Sequence, residues 1–160
     1  MNKDLANVCQ YLTQGVYVIA VKDQQREHAF TAAWVMQVSF NPPMLAFSIN
    51  PQHYSYQILK AGGQCSINVL AKEQLPIATH FGDSNIRDKM TAYSWQLAPS
   101  GVPVLKVALA YFDCVVSHSM PAGDHEIMLC QVLDAKILHV GVPMQYADTG
   151  NMDGANDLYA

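Results

Sequence analysis

The chain has 160 residues, 51% of them hydrophobic and 14% charged, with a net charge of −4. That length holds one domain with a sizeable core. The composition is too apolar for a disordered chain, the nine Lys and Arg are dispersed and form no basic stripe for nucleic acid, and no apolar run approaches a membrane span.

The low charge hints at surface buried in an oligomer, although scattered apolar surface residues fit the composition equally well. The start, MNKDLANVCQYL, lacks the apolar run of a signal peptide, so cytoplasmic residence is expected. Cys9, Cys65, Cys114 and Cys130 are widely spaced, with no C-x-x-C and no histidine pair at i, i+4. This argues against a metal site or a disulfide framework and favours reduced, buried thiols.

In chain order, residues 3–13 suit a short amphipathic helix with Leu5, Val8, Cys9 and Leu12 on one side, ended by Gly15. GVYVIAV (15–21) reads as a buried strand and KDQQREH (22–28) as a polar turn. Residues 29–39 and 44–49 read as two more strands around SFNPP, whose prolines cannot donate ladder hydrogen bonds. Residues 54–61 look helical, closed by Gly62-Gly63. CSINVL (65–70) is a strand, and LPIATHFG (75–82) a helix opening on proline. Short extended pieces surround SWQLAPSGVPVL. Two long β-rich runs, 108–119 and 125–140, follow, joined by a hairpin-like turn at MPAGD. The tail, 141–160, is rich in Gly, Asp and Asn and reads as irregular, leaving 1–140 as the folded domain. Six or seven strands linked mostly by turns, with two or three short helices, favour a mainly β antiparallel barrel over a doubly wound sheet. No G-x-G-x-x-G follows a strand, which also speaks against a Rossmann domain.

Four stretches carry candidate chemistry. In TAAW, Thr31, Ala32, Ala33 and Trp34 leave shallow ground on both faces of a strand. A flat ring fits there, and so does close packing against a helix. VSFN brings Val38, Ser39, Phe40 and Asn41 to a forced turn, with Asn-Pro as a common turn starter. SINPQHYS ends a strand and opens a helix: Ser55 suits an N-cap or a place near one, and the free N–H groups there also suit a phosphate. Ser48, Asn50, His53 and Tyr54 flank that corner, and a protonated His53 adds charge. In GDHEI, a carboxylate (Asp124) beside an imidazole (His125) suits proton work, although neighbours in an extended chain point oppositely.

The ordered series TAAWVMQVSFNPPMLAFSI, HYSYQIL, CSINVL, THFG, DKM, VALAYFDCVV and GDHEIMLCQVLDAKI resembles the flavin reductase-like family, from about Leu5 to Ile137. It is especially similar to flavoredoxin-like proteins and to the reductase-like module of diflavin proteins. The resemblance implies an antiparallel split β-barrel of Greek-key type, and a homodimer with one FMN (or FAD) per subunit near the interface. By position it implies TAAW and VSFN along the isoalloxazine and ribityl chain, and residues 48–55 toward the phosphate. Lys89 in DKM and His125 would then lie near the flavin or the nicotinamide approach, His125 being the catalytic candidate. Two positions depart from the pattern: Ala33 stands where a serine is common, and His53 where an arginine is common. Losing one charge-assisted hydrogen bond at His53 costs roughly 1.5–3 kcal/mol of phosphate binding. The resemblance implies hydride transfer from NADH or NADPH to flavin. The alternative is an FMN-bound electron carrier reduced by a redox protein partner.

Overall fold

The computed structural model describes residues 4–159. The first three residues of the expected domain and the last residue of the expected tail lie outside the described residues, as does the first residue of the expected N-terminal helix. The elements run α1 (Leu5–Cys9), β1 (Tyr17–Lys22), β2 (Glu27–Ala32), β3 (Val35–Phe40), β4 (Pro43–Ile49), α2 (Tyr54–Lys60), β5 (Gln64–Val69), α3 (Leu75–Gly82), β6 (Trp95–Leu97), β7 (Pro103–Leu105), β8 (Ala110–Ala122), β9 (His125–Ile137), a 3-10 turn (Tyr146–Thr149) and α4 (Ala155–Leu158).

Seven strands form one sheet in the order β2-β1-β5-β8-β9-β4-β3, and β6 and β7 form a separate ribbon. Every pairing is antiparallel. The two edge strands, β2 and β3, are consecutive in the chain and joined only by Ala33 and Trp34. Three Cα–Cα steps reach at most about 11 Å. The edges of a flat seven-stranded sheet would lie about 29 Å apart. The sheet therefore curls until its edges meet at Ala33-Trp34, where they are linked by chain and not by a ladder. This is the split barrel that the sequence predicts, and the split falls on TAAW. The expected single strand 29–39 is accordingly two strands, broken at that corner.

The barrel interior takes alternate residues of each strand. Ile19 and Val21 (β1), Leu45 and Phe47 (β4), Ile67 (β5) and Met128 (β9) meet there, and Tyr56, Ile58 and Leu59 of α2 plug one end. Cys65, Cys114 and Cys130 join this cluster as free thiols. Hydrogen bonds with Cys114 and Cys130, together with burial, push the Cys65 thiol well above the usual range, which keeps it unreactive. The other face of β1 (Val18, Ala20) lies beneath α3, whose Ile77, Ala78 and Phe81 are buried. β1 is thus covered on both sides, which explains its unbroken apolar run.

The first helix is shorter than expected, and its apolar side is not what packs. Ala6 is buried, whereas Val8 and Leu12 are exposed. The tail is not irregular throughout. Its backbone pairs with residues beyond the ends of β1 and β5, through Lys72 N–H to Val142 O, Met144 N–H to Leu70 O and Tyr146 N–H to Gln14 O. Met144 and Tyr146 are buried by this return. No described helix is long and apolar enough to cross a membrane.

Candidate functional site

A cavity of about 310 Å³ opens at the barrel's split. Thr31, Ala32, Ala33 and Trp34 form one wall, Ser48, Ile49, Asn50 and His53 the next, and His125 a corner; Phe81 and Gly82 of α3 and Tyr146, Thr149, Met152 and Asp153 of the tail complete it. The small residues at 32 and 33 make the room. Ala32 is also part of the barrel core, whereas Ala33 is only half-buried.

Each wall has a local cause. The hairpin of β8 and β9 closes on two residues, Gly123-Asp124, with Ala122 opposite His125. Gly123 has φ +67°, the first-position glycine that such a tight turn requires. The turn is shorter than the MPAGD loop that the sequence predicts. It places His125 at the head of β9, beside the end of β4, with its ring 5.1 Å from that of Trp34. Asp124 and His125 do touch: Asp124 Oδ1 lies 2.7 Å from His125 Nδ1. Hydrogen bonding to His125 holds the Asp124 carboxyl below its usual range. The acceptor on Nδ1 fixes the ring and leaves Nε2 free. His125 is thus a positioned, partly solvated imidazole in the cavity wall.

The corner after β4 is an Asx turn. Asn50 Oδ1 accepts from the Gln52 N–H, and Asn50 O accepts from the His53 N–H. His53, not Ser55, is the N-cap of α2; its Nδ1 accepts from the Ser55 N–H at 3.3 Å. Ser55 is fully buried, and its hydroxyl is held 2.7 Å from His28 Nδ1. Ser55 thus stands near the cap, as the sequence allows, and the capping side chain itself is the imidazole of His53. Thr31 lines the cavity, yet its hydroxyl donates to Ala78 O of α3 at 2.6 Å. It fastens the helix to the wall.

A second cavity lies on the far side of His53, lined by Glu27, His28, Tyr54, Arg87, Asp88 and Lys89 among others. Lys89 is buried and donates to Phe81 O at 2.7 Å, capping the C-terminal end of α3. Burial draws its pKa down, with only Asp83 opposing. Burial, then the charge of Lys89, then His53 push His28 down to about 4. Burial and then Lys89 lower His53 as well. Both imidazoles are therefore neutral at pH 7. The first cavity has no Lys or Arg in its wall; the second has two.

The structure thus gathers Thr31, Ala32, Ala33, Trp34, Ser48, Asn50, His53 and His125 around one cavity and Tyr54 and Lys89 around its neighbour. Val38, Ser39, Phe40 and Asn41 line neither cavity of the single chain. Phe40 is six residues along β3 from Trp34, about 20 Å at the rise of a strand. Tyr146, Thr149, Met152 and Asp153 are cavity residues that the sequence reading missed. The only signal was two Tyr and two Met, with Val142 and Leu158, within a tail otherwise rich in Gly, Asp and Asn. Among the described residues, no group of three His, Cys, Asp or Glu is placed to hold a metal ion.

Comparison with known proteins agrees with this geometry. The family model described as "Flavin reductase like domain" matches residues 9–154. The FMN reductase (NADH) RutF of Agrobacterium fabrum is 33% identical over 135 residues, 84% of this chain and 78% of that one. The high molecular weight rubredoxin of Moorella thermoacetica is 36% identical over 140 residues, covering 85% of this chain; the chain spans 61% of that relative's length. The NADH:FAD oxidoreductase SgcE6 of Streptomyces globisporus, solved with NAD and FAD fragments, superposes with a TM-score of 0.83 at 26% identity, over 91% of this chain and 87% of that one. The matched span takes in the barrel, the split and all but the last residues of the tail, and so the chain belongs to the flavin reductase-like domain family.

Proposed function

We propose that the chain is an NAD(P)H-dependent flavin oxidoreductase that holds FMN with its ring system in the cavity at the barrel's split. When bound, the flavin supplies the redox chemistry, accepting a hydride from the reduced nicotinamide. The observation that carries this reading is a cavity lined by the small residues Ala32 and Ala33 and, at its corner, by the aromatic–imidazole pair Trp34 and His125. A planar ring fits a slot of that kind, and the residues present suit the group. His53 stands between the two cavities, so a ligand can lay its ring in the first and its phosphate in the second, toward Lys89 and Arg87. His125, held by Asp124, orients the incoming nicotinamide or moves a proton at Nε2. FAD is the alternative flavin, its additional nucleotide extending toward the second cavity.

The proposal includes a homodimer. β3 is an edge strand whose Met36 and Phe40 are 63% and 90% exposed, with Val38 between them. A bare apolar edge of this kind needs a cover. A second copy across it would also give Val38–Asn41 a site to line that neither cavity of the single chain offers. The protein is placed in the cytoplasm, where reduced nicotinamides are made and three buried thiols stay reduced.

Anaerobic mixing of the FMN-loaded protein with NADH and with NADPH tests the reading. The expected result is bleaching of the flavin band by at least one of them, slowed tenfold or more in His125→Ala, with FMN affinity changed less than threefold. No bleaching by either, with rapid reduction by dithionite, would make the protein an electron carrier served by a redox partner. A wild-type rate in the variant would remove His125 from the reaction.

A further inference from the structure

One wall of the cavity is unlike the rest. The others are strands of the sheet, the hairpin tip and α3, all fixed by ladders or by the core. The last wall is tail. Up to Tyr146 that tail is anchored, through the backbone bonds of Val142, Met144 and Tyr146 and the burial of Met144 and Tyr146. Beyond it the character changes. Gly150 and Gly154 have φ +63° and +71° and bracket Asn151, Met152 and Asp153. A Cβ at either glycine would meet nothing within 4 Å, so they are there for backbone conformation and not for close packing. α4, which follows, buries no residue, and Leu158 is exposed. Segments that bury so little open locally at small cost.

α4 touches α1, Tyr159 hydrogen-bonds to Cys9, and Met152 packs on the cluster beneath α3; few other contacts hold this segment down. Tyr146 Oη donates to Asp153 Oδ2 at 2.5 Å, from the anchored part to the hinged part. Asp153 Oδ1 accepts from the Ala155 N–H, tying the same carboxylate to α4. Met152 rests against Gly82, and its sulfur lies 3.8 Å from Thr79 Oγ1. The cavity it closes, about 310 Å³, stands at the low end of the ~300–1,000 Å³ of small-ligand sites.

We propose that residues 150–159 form a hinged cover over the cavity mouth, with Gly150 as the hinge and the Tyr146–Asp153 hydrogen bond as its latch, and that the cover must lift for the ring to enter or leave. Hinges of this kind turn on a few residues that absorb the backbone change. The proposal rests on the flavin reading only for the identity of the ligand.

Tyr146→Phe removes the latching hydroxyl and keeps the buried ring. Stopped-flow quenching of FMN fluorescence gives both the uptake and the release rate. A gate makes a specific pattern: both rates rise about tenfold together, and Kd stays within twofold. A rise in release alone, or two unchanged rates, would overturn the cover and leave Tyr146 as an ordinary wall residue. Asp153→Asn, at an exposed position, is the second variant should Tyr146→Phe fold poorly, and the same pattern is expected of it. Amide exchange of the flavin-free protein separates this proposal from the flavin reading. Residues 151–159 should exchange several-fold faster in Tyr146→Phe than in the wild type, with the sheet unchanged. If neither protein takes up FMN, the flavin reading falls, and faster exchange upholds the latch whereas equal exchange overturns it.

Discussion

His28 shows what burial does to a titrating residue beside the site. Its pKa is pushed down to about 4 by burial, by the charge of Lys89 and by His53. The unfolded chain binds a proton there near pH 6.5, so between about pH 6.5 and 4 the unfolded state holds more protons than the folded one. His28 therefore contributes its full stability above about pH 6.5, and that contribution is lost as the pH falls toward 4. His53, lowered for the same reasons, acts in the same direction. The ceiling is about 1.4 kcal/mol per pH unit for each proton, and solvent reaching these half-buried rings brings the effect below it. Urea unfolding at pH 7, 6 and 5 should show a steady loss in the wild type. In His28→Gln the loss should be shallower, from a lower starting stability because the bond to Ser55 is gone. Equal slopes in the two proteins would contradict the assignment. At this scale the sequence identified residues and not their partners. His53 and Ser55 both read as helix-start residues, but which one caps depends on side-chain reach and on His28, distant in sequence.

Among the elements, the β8–β9 hairpin bears most directly on the chemistry, since its two-residue turn aims His125. Gly123 holds that turn at a positive φ, which an L side chain adopts at a cost of about 1–2 kcal/mol. Gly123→Ala should lower unfolding free energy by about that amount in urea titration. It should also slow flavin reduction by NADH, as His125→Ala does, while FMN affinity stays within about threefold. Normal reduction in a destabilised variant would show that the hairpin does not aim the imidazole. Most elements were legible in advance. The helix at 75–82 begins on a leucine–proline pair and ends at glycine, and the structure keeps those bounds. The long runs near 108–119 and 125–140 are the long hairpin. The break at Ala33-Trp34 was not legible, because no glycine or proline marks it. It follows from closure of the sheet, a property of all seven strands.

For the whole molecule, the seam at Ala33-Trp34 determines both what is enclosed and what is left bare. The cavity lies where the barrel's edges meet without a ladder, and β3 runs away from it with Met36, Val38 and Phe40 exposed. If a second copy covers that edge, Met36→Lys with Phe40→Lys should halve the mass seen by sedimentation equilibrium and leave the circular dichroism of the barrel intact. An unchanged mass in a well-folded double variant, or a wild type that sediments as a monomer, would remove the dimer from the account. The pairing of the tail was not legible for a related reason. Its composition is that of a loop, and what orders it is backbone pairing to residues 14–16 and 70–72, which local pattern does not report.

The central claim is that the slim walls of the split admit a flavin ring, and equilibrium titration with FMN, followed by flavin fluorescence, tests it most directly. The wild type should bind one FMN per chain. Ala33→Leu, which fills the slot at a partly exposed position where folding changes by only about 0.5 kcal/mol, should lose at least a hundredfold in affinity with its thermal midpoint nearly unchanged. A wild type that leaves FMN fluorescence untouched, or a leucine variant that binds as tightly as the parent, would contradict the account.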